Sequence, residues 1–147
     1  MRNIEMNDKA PMSKASRAAG EQVLPLILSL VGFERSPEFL LITRSDEEPF
    51  QRLQSMSSPG LEFLVIEPRH LHADYNPDVN LRDVSNLALG RSEDALVLNV
   101  VTIRGPGKVT ANLRGPIIIN RETRQGRQVI PDNAFEFSLQ HPVQVEP

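Results

Sequence analysis

The chain has 147 residues, 39% of them hydrophobic and 24% charged, and 16 Lys+Arg against 19 Asp+Glu give it a formal net charge of −3. One domain with a buried core fits that length, while the acidic balance excludes the basic footprint of a direct nucleic-acid binder or of an anionic-membrane binder. Having no cysteine excludes disulfides and thiolate chemistry and fits a reducing cytoplasm, and seven aromatics without tryptophan are too few for a base-stacking platform.

Residues 1–20 are polar and rich in Ala, Ser and Lys, which predicts a flexible N-terminal arm. A short pairing strand over Arg2–Met6 is the alternative there. Residues 21–147 read as one β domain. The run Val23–Val31 (VLPLILSLV) is too short for a membrane span, which needs about 20 residues, and no small-x-small cleavage site follows it. It reads as a buried strand.

Further β-type runs follow between turn signals: Phe39–Thr43, Leu61–Glu67, Ala95–Ile103, Pro116–Asn120 and Gln128–Ile130. Twelve prolines punctuate them and argue against long helices. One or two helical turns are expected near Arg82–Leu89, where Val84, Leu87 and Ala88 share a face. The expected fold is therefore mostly β, a small antiparallel barrel-like domain with at most one or two short helices.

Catalytic motifs are hard to find. Gly105-Pro106-Gly107-Lys108 lacks the spacing and the Ser/Thr of a phosphate loop and reads as a hairpin turn. Asp46, Glu47 and Glu48 are consecutive, so their carboxylates diverge into a solvated loop rather than converging as an acid–base pair. On a strand, His70 and His72 would share a face, with Asp74 nearby, which is the start of a zinc or copper set lacking its further ligands. A β-barrel metal-binding protein or enzyme using those three residues is the alternative reading, and an OB-like single-strand binder is a third that the aromatic count opposes.

Several phrases, in order and at approximate spacing, carry a resemblance. They are Leu30-Val31-Gly32-Phe33-Glu34, then Pro49-Phe50 with Leu53-Gln54-Ser55, then Phe63-Leu64-Val65-Ile66 before Pro68, and Asp74-Tyr75. The longest is Thr110-Ala111-Asn112-Leu113-Arg114-Gly115-Pro116-Ile117-Ile118-Ile119-Asn120 with Gly126–Ile130 after it; Phe137 and His141-Pro142 close the series. Together they resemble the FliW family of flagellar assembly factors over about residues 23–142. Residues 1–22 match the family's opening hairpin poorly, and Phe137 and Gln140 stand where the family offers Tyr and Arg.

The resemblance implies a cytoplasmic, monomeric, non-enzymatic protein without a cofactor. It implies binding to CsrA, the carbon storage regulator, which relieves repression of flagellin translation, and binding to flagellin in an exclusive partner switch. Candidate partner contacts are Ile103, Val109, Thr110, Ala111, Asn112 and Leu113, because interface centres bury apolar anchors. The residues themselves also support a structural role: Asn112 is placed to fix a loop and Asn120 to end a strand.

Overall fold

The computed structural model describes residues 20–71 and 74–144. The expected arm over 1–20, with the Arg2–Met6 strand, falls almost wholly outside them. Among the described residues nine strands form: β1 (Glu21–Ser29), β2 (Glu38–Arg44), β3 (Phe50–Ser55), β4 (Glu62–Ile66), β5 (Ala95–Ile103), β6 (Val109–Ala111), β7 (Ile117–Asn120), β8 (Gln125–Gln128) and β9 (His141–Pro142). An α-turn, α1 (Leu81–Val84), leads into a 3₁₀ turn at Ser85–Leu87, where one or two helical turns were expected.

β1 to β4 form an antiparallel meander, β4 pairs with β5, β5 with β7, and β7 with β8. β8 then runs parallel to β1 over Ile27–Ser29, which closes a barrel of seven strands. β6 and β9 extend the sheet beyond the upper half of β5. Closure leaves few edges for stray pairing.

Pro25 lies inside β1, where a proline would ordinarily cost a ladder bond. Leu28 N–H donates to the Pro37 carbonyl on the β2 side, whereas Ile27 N–H donates to Arg124 on the β8 side. Pro25 shares the parity of Ile27, so its missing N–H faces the β8 side, past the point where β1–β8 pairing stops. No β1–β2 bond is lost.

The run Ile117–Asn120 is buried at every position rather than at alternate ones. Both of its faces are covered. Ile117 and Ile119 point into the barrel with Leu28, Phe39, Leu53 and Leu98. Ile118 points outward and is capped by Val84 and Leu87 of the α1 segment together with Val129. A third cluster fills the end of the barrel beneath β5, β6 and β9, joining Ile66, Leu71, Val101, Val109, Ala111, Leu113 and Val143.

Two expectations shift. The strand expected at Gln128–Ile130 lies instead at Gln125–Gln128, because Asn120 closes the preceding turn at Arg121–Arg124 and Gly126 pairs with Ile119. A Cβ on Gly126 would stand 2.6 Å from Ile119 Cγ1, so close strand approach requires glycine there. β3 was not anticipated as a strand. Its sequence FQRLQS is mostly polar, and it is held by ladders on both sides, β2 and β4.

Candidate functional site

β5 supplies the frame of the region that the longest sequence phrase occupies. Its lower half pairs with β7 (Leu98↔Ile117) and its upper half with β6 (Val101↔Ala111) along the same edge. Five residues, 112–116, therefore stand opposite Asn99 and Val100, and the surplus chain forms a pronounced bulge.

The bulge is tied down by a buried polar set. Asn99, 0% exposed, interrupts the apolar run of β5. Its Nδ2 donates to the Asn112 carbonyl (3.0 Å) and to Tyr75 Oη (3.3 Å), while Tyr75 Oη donates to the Leu113 carbonyl (2.7 Å). Asn99 Oδ1 has no partner among the described residues. Burial pushes the Tyr75 phenol above its ordinary pKa, partly offset by the bond from Asn99. The Tyr75 ring meets Phe137 edge-on at 4.9 Å.

Outside this set, Asn112 Oδ1 accepts from Arg114 N–H (2.8 Å), a turn held by its own side chain. Arg114 Nε donates to the Phe137 carbonyl at 2.6 Å, and Gln128 Nε2 to the Gly115 carbonyl at 3.0 Å. The bulge is thus tied to β5, Tyr75, Phe137 and Gln128 by several separate hydrogen bonds, which restrains it.

The six candidate contacts separate on this scaffold. Val109, Ala111 and Leu113 are buried in the end cluster, so their side chains face the core. Thr110 and Asn112 are half-buried. Ile103 is 62% exposed at the end of β5. The turn after it is the expected hairpin: Arg104 N–H donates to the Lys108 carbonyl and Lys108 N–H to the Gly105 carbonyl, both at 2.9 Å. Gly107 takes φ +70°, a conformation suited to glycine.

The histidine set looks different from its strand reading. Pro68–His70 is a 3₁₀ turn rather than a strand, so the alternating-face argument does not apply there. His72 lies outside the described residues. Asp74 is exposed, with Oδ1 accepting from Asn76. Among the described residues, no three His, Asp or Glu side chains gather as a metal would need.

On the β2–β4 wall, the acidic loop is more organised than a merely solvated one. Arg52 Nε and Nη2 grip both Glu47 oxygens at 2.9 Å, and Arg52 Nη1 reaches Glu62 at 2.7 Å. The Glu47 carboxyl is held below its ordinary range, first by those bonds from Arg52. Arg44 pairs with Glu21 at 2.7 Å. Tyr75 and Asn99 are the residues that sequence reasoning left without a structural role; a lone Asn within ALVLNVVTI was the available signal.

The family model described as FliW protein matches residues 10–143. The chain belongs to the FliW family. It is 38% identical over 112 residues to the flagellar assembly factor FliW of Leptospira biflexa, covering 75% of this chain and 73% of that one. To the flagellar assembly factor FliW of Leptospira interrogans serogroup Icterohaemorrhagiae serovar copenhageni it is 35% identical over 132 residues, covering 88% and 87%. A crystal structure of the flagellar assembly factor FliW superposes with a TM-score of 0.74 at 30% identity, over 83% of this chain and 86% of that chain. The FliW barrel is thus the fold of this chain. Among the described residues no helix is long and apolar enough to cross a membrane.

Proposed function

We propose that this chain acts as a flagellar assembly factor, a monomeric cytoplasmic regulator that works by binding proteins rather than by catalysis. It binds CsrA and thereby relieves repression of flagellin translation, and it binds flagellin in a complex that excludes CsrA. The observation that carries the reading is the likeness to proteins named flagellar assembly factor FliW, 35–38% identical over 75–88% of the chain, on a shared barrel. A hydrogen-bonded bulge and hairpin beside Ile103, Thr110 and Asn112 suit recognition, because preorganised surfaces lose little entropy on binding.

Two exclusive complexes on one protein make the free concentration of one partner report on the other. Flagellin that accumulates before export captures the regulator, CsrA is released, and translation of flagellin falls. Calorimetric titration of the purified protein with cognate CsrA, repeated after saturation with cognate flagellin, tests this. Heat of binding that flagellin abolishes is expected. Binding of CsrA to the flagellin-saturated protein with undiminished affinity refutes the exclusive switch, and binding of neither protein refutes the regulatory role.

A further inference from the structure

The β5–β6 hairpin stands apart from the rest of the surface in shape and in charge. β4 accompanies β5 only as far as Leu64↔Val101, yet β5 and β6 remain paired to Ile103↔Val109. Thr102 and Ile103, which point to opposite faces of the ribbon, are both exposed. β4 itself continues to Glu62 in its ladder with β3, so the β5–β6 ribbon parts from the barrel wall at this end with both of its faces open to solvent. Its tip is stiff, since the Arg104–Lys108 hydrogen bonds close it and Pro106 restricts its backbone.

Charge follows the same boundary. From Ala95 to Arg121 the chain carries Arg104, Lys108, Arg114 and Arg121 and no carboxylate. Residues 21–78, by contrast, carry four arginines against ten carboxylates. The ion pairs among the described residues belong to Arg44, Arg52 and Arg69 on that acidic side. Arg104 and Lys108 thus flank an exposed isoleucine as a cationic tip on a protein of net charge −3.

We propose that this tip is a docking finger, with Ile103 entering an apolar pocket of a partner protein whose rim carboxylates pair with Arg104 and Lys108. The proposal deepens the regulatory reading and rests on it. A protein partner fits better than a nucleic acid, because two cations neutralise few phosphates and residues 95–121 contain no aromatic side chain for stacking. Of the acidic wall, Glu21, Glu47 and Glu62 are already held by Arg44 and Arg52 and are not available to the tip of a second copy.

The test compares wild type, the double variant Arg104→Glu/Lys108→Glu, and Ile103→Ser. Each is titrated with cognate CsrA and with cognate flagellin at low and at high salt, after urea unfolding has shown unchanged stability. The charge-reversed protein is expected to lose at least about tenfold in affinity for one of the two partners, with the loss shrinking at high salt. Ile103→Ser is expected to weaken the same complex by about tenfold at both salt concentrations.

Wild-type affinity of both variants for both partners overturns the finger while leaving the regulatory reading in place. A wild-type dimer in sedimentation that dissociates in the variants reassigns the tip to self-association, and a loss confined to oligonucleotide binding reassigns it to nucleic acid. Wild-type protein that binds neither partner refutes the regulatory reading directly, and the finger falls with it.

Discussion

Asn120 offers the sharpest test of how the barrel holds its cover. It ends β7 at 4% exposure. Its Oδ1 accepts the N–H groups of Glu122 (2.8 Å) and Thr123 (3.1 Å), and its Nδ2 donates to the Leu87 carbonyl (2.7 Å). One side chain therefore closes the β7–β8 turn and anchors the α1 segment. Asn120→Ala leaves four backbone groups without this partner, counting the Ala88 carbonyl at 3.4 Å. Glu122 and Thr123 are exposed and recover water, at a small cost, whereas the bond to the Leu87 carbonyl is buried. With about 1 kcal/mol for an ordinary net bond and up to about 3 kcal/mol for a stranded buried group, the expected loss is about 2–3 kcal/mol.

Urea unfolding followed by far-ultraviolet circular dichroism measures it, with an unchanged denaturant slope showing that the unfolded state is unaltered. Asn86→Ala, at an exposed position of the same cover, is the control and should stay within about 0.5 kcal/mol. Asn120→Asp keeps the acceptor but sets a carboxylate against the Leu87 carbonyl, so it should cost more than alanine. A loss below about 1 kcal/mol for Asn120→Ala, or an aspartate variant more stable than the alanine one, refutes the assigned bond to Leu87.

Tyr75 is the single tyrosine in a chain without tryptophan, so tyrosinate absorbance reports its ionisation alone. A midpoint above the ordinary tyrosine value is expected. The associated stability is present below the unfolded phenol pKa and lost as pH rises through the folded one. Glu47 has the opposite sign: its contribution is present above the ordinary glutamate pKa and lost as pH falls through the lower folded value. Glu47→Gln should therefore flatten the acid limb of a pH–stability profile, and a profile identical to wild type counts against the Arg52 grip. Gly126→Ala places a methyl group 2.8 Å from the Ile118 carbonyl oxygen and 2.6 Å from Ile119 Cγ1, so overpacking of about 1–3 kcal/mol should lower the urea midpoint. A midpoint within error of wild type refutes that close approach.

Local chemistry was enough for much of the fold. Short β-branched runs bounded by Gly and Pro marked β1, β2, β4, β5 and β7 to within a few residues, because those segments bury their own apolar side chains. The Gly105-Pro106-Gly107 turn, the Asn112 turn and the strand-ending part of Asn120's role were legible for the same reason: each depends on groups within a few residues of itself, whereas the Asn120 bond to Leu87 spans 33 residues and was not. The ordered motif set also carried the family.

Other features depended on which distant segments meet, and sequence periodicity holds no record of that. β3 is a strand because β2 and β4 flank it, despite its polar composition. Val109, Ala111 and Leu113 went to the core, and Ile103 to the surface, because β5 parts from β4 after Val101 and the bulge folds over the barrel end. The Tyr75–Asn99 pairing joins groups 24 residues apart. Whether an apolar residue is core or contact is decided by what covers it, and only the closed barrel determines the cover.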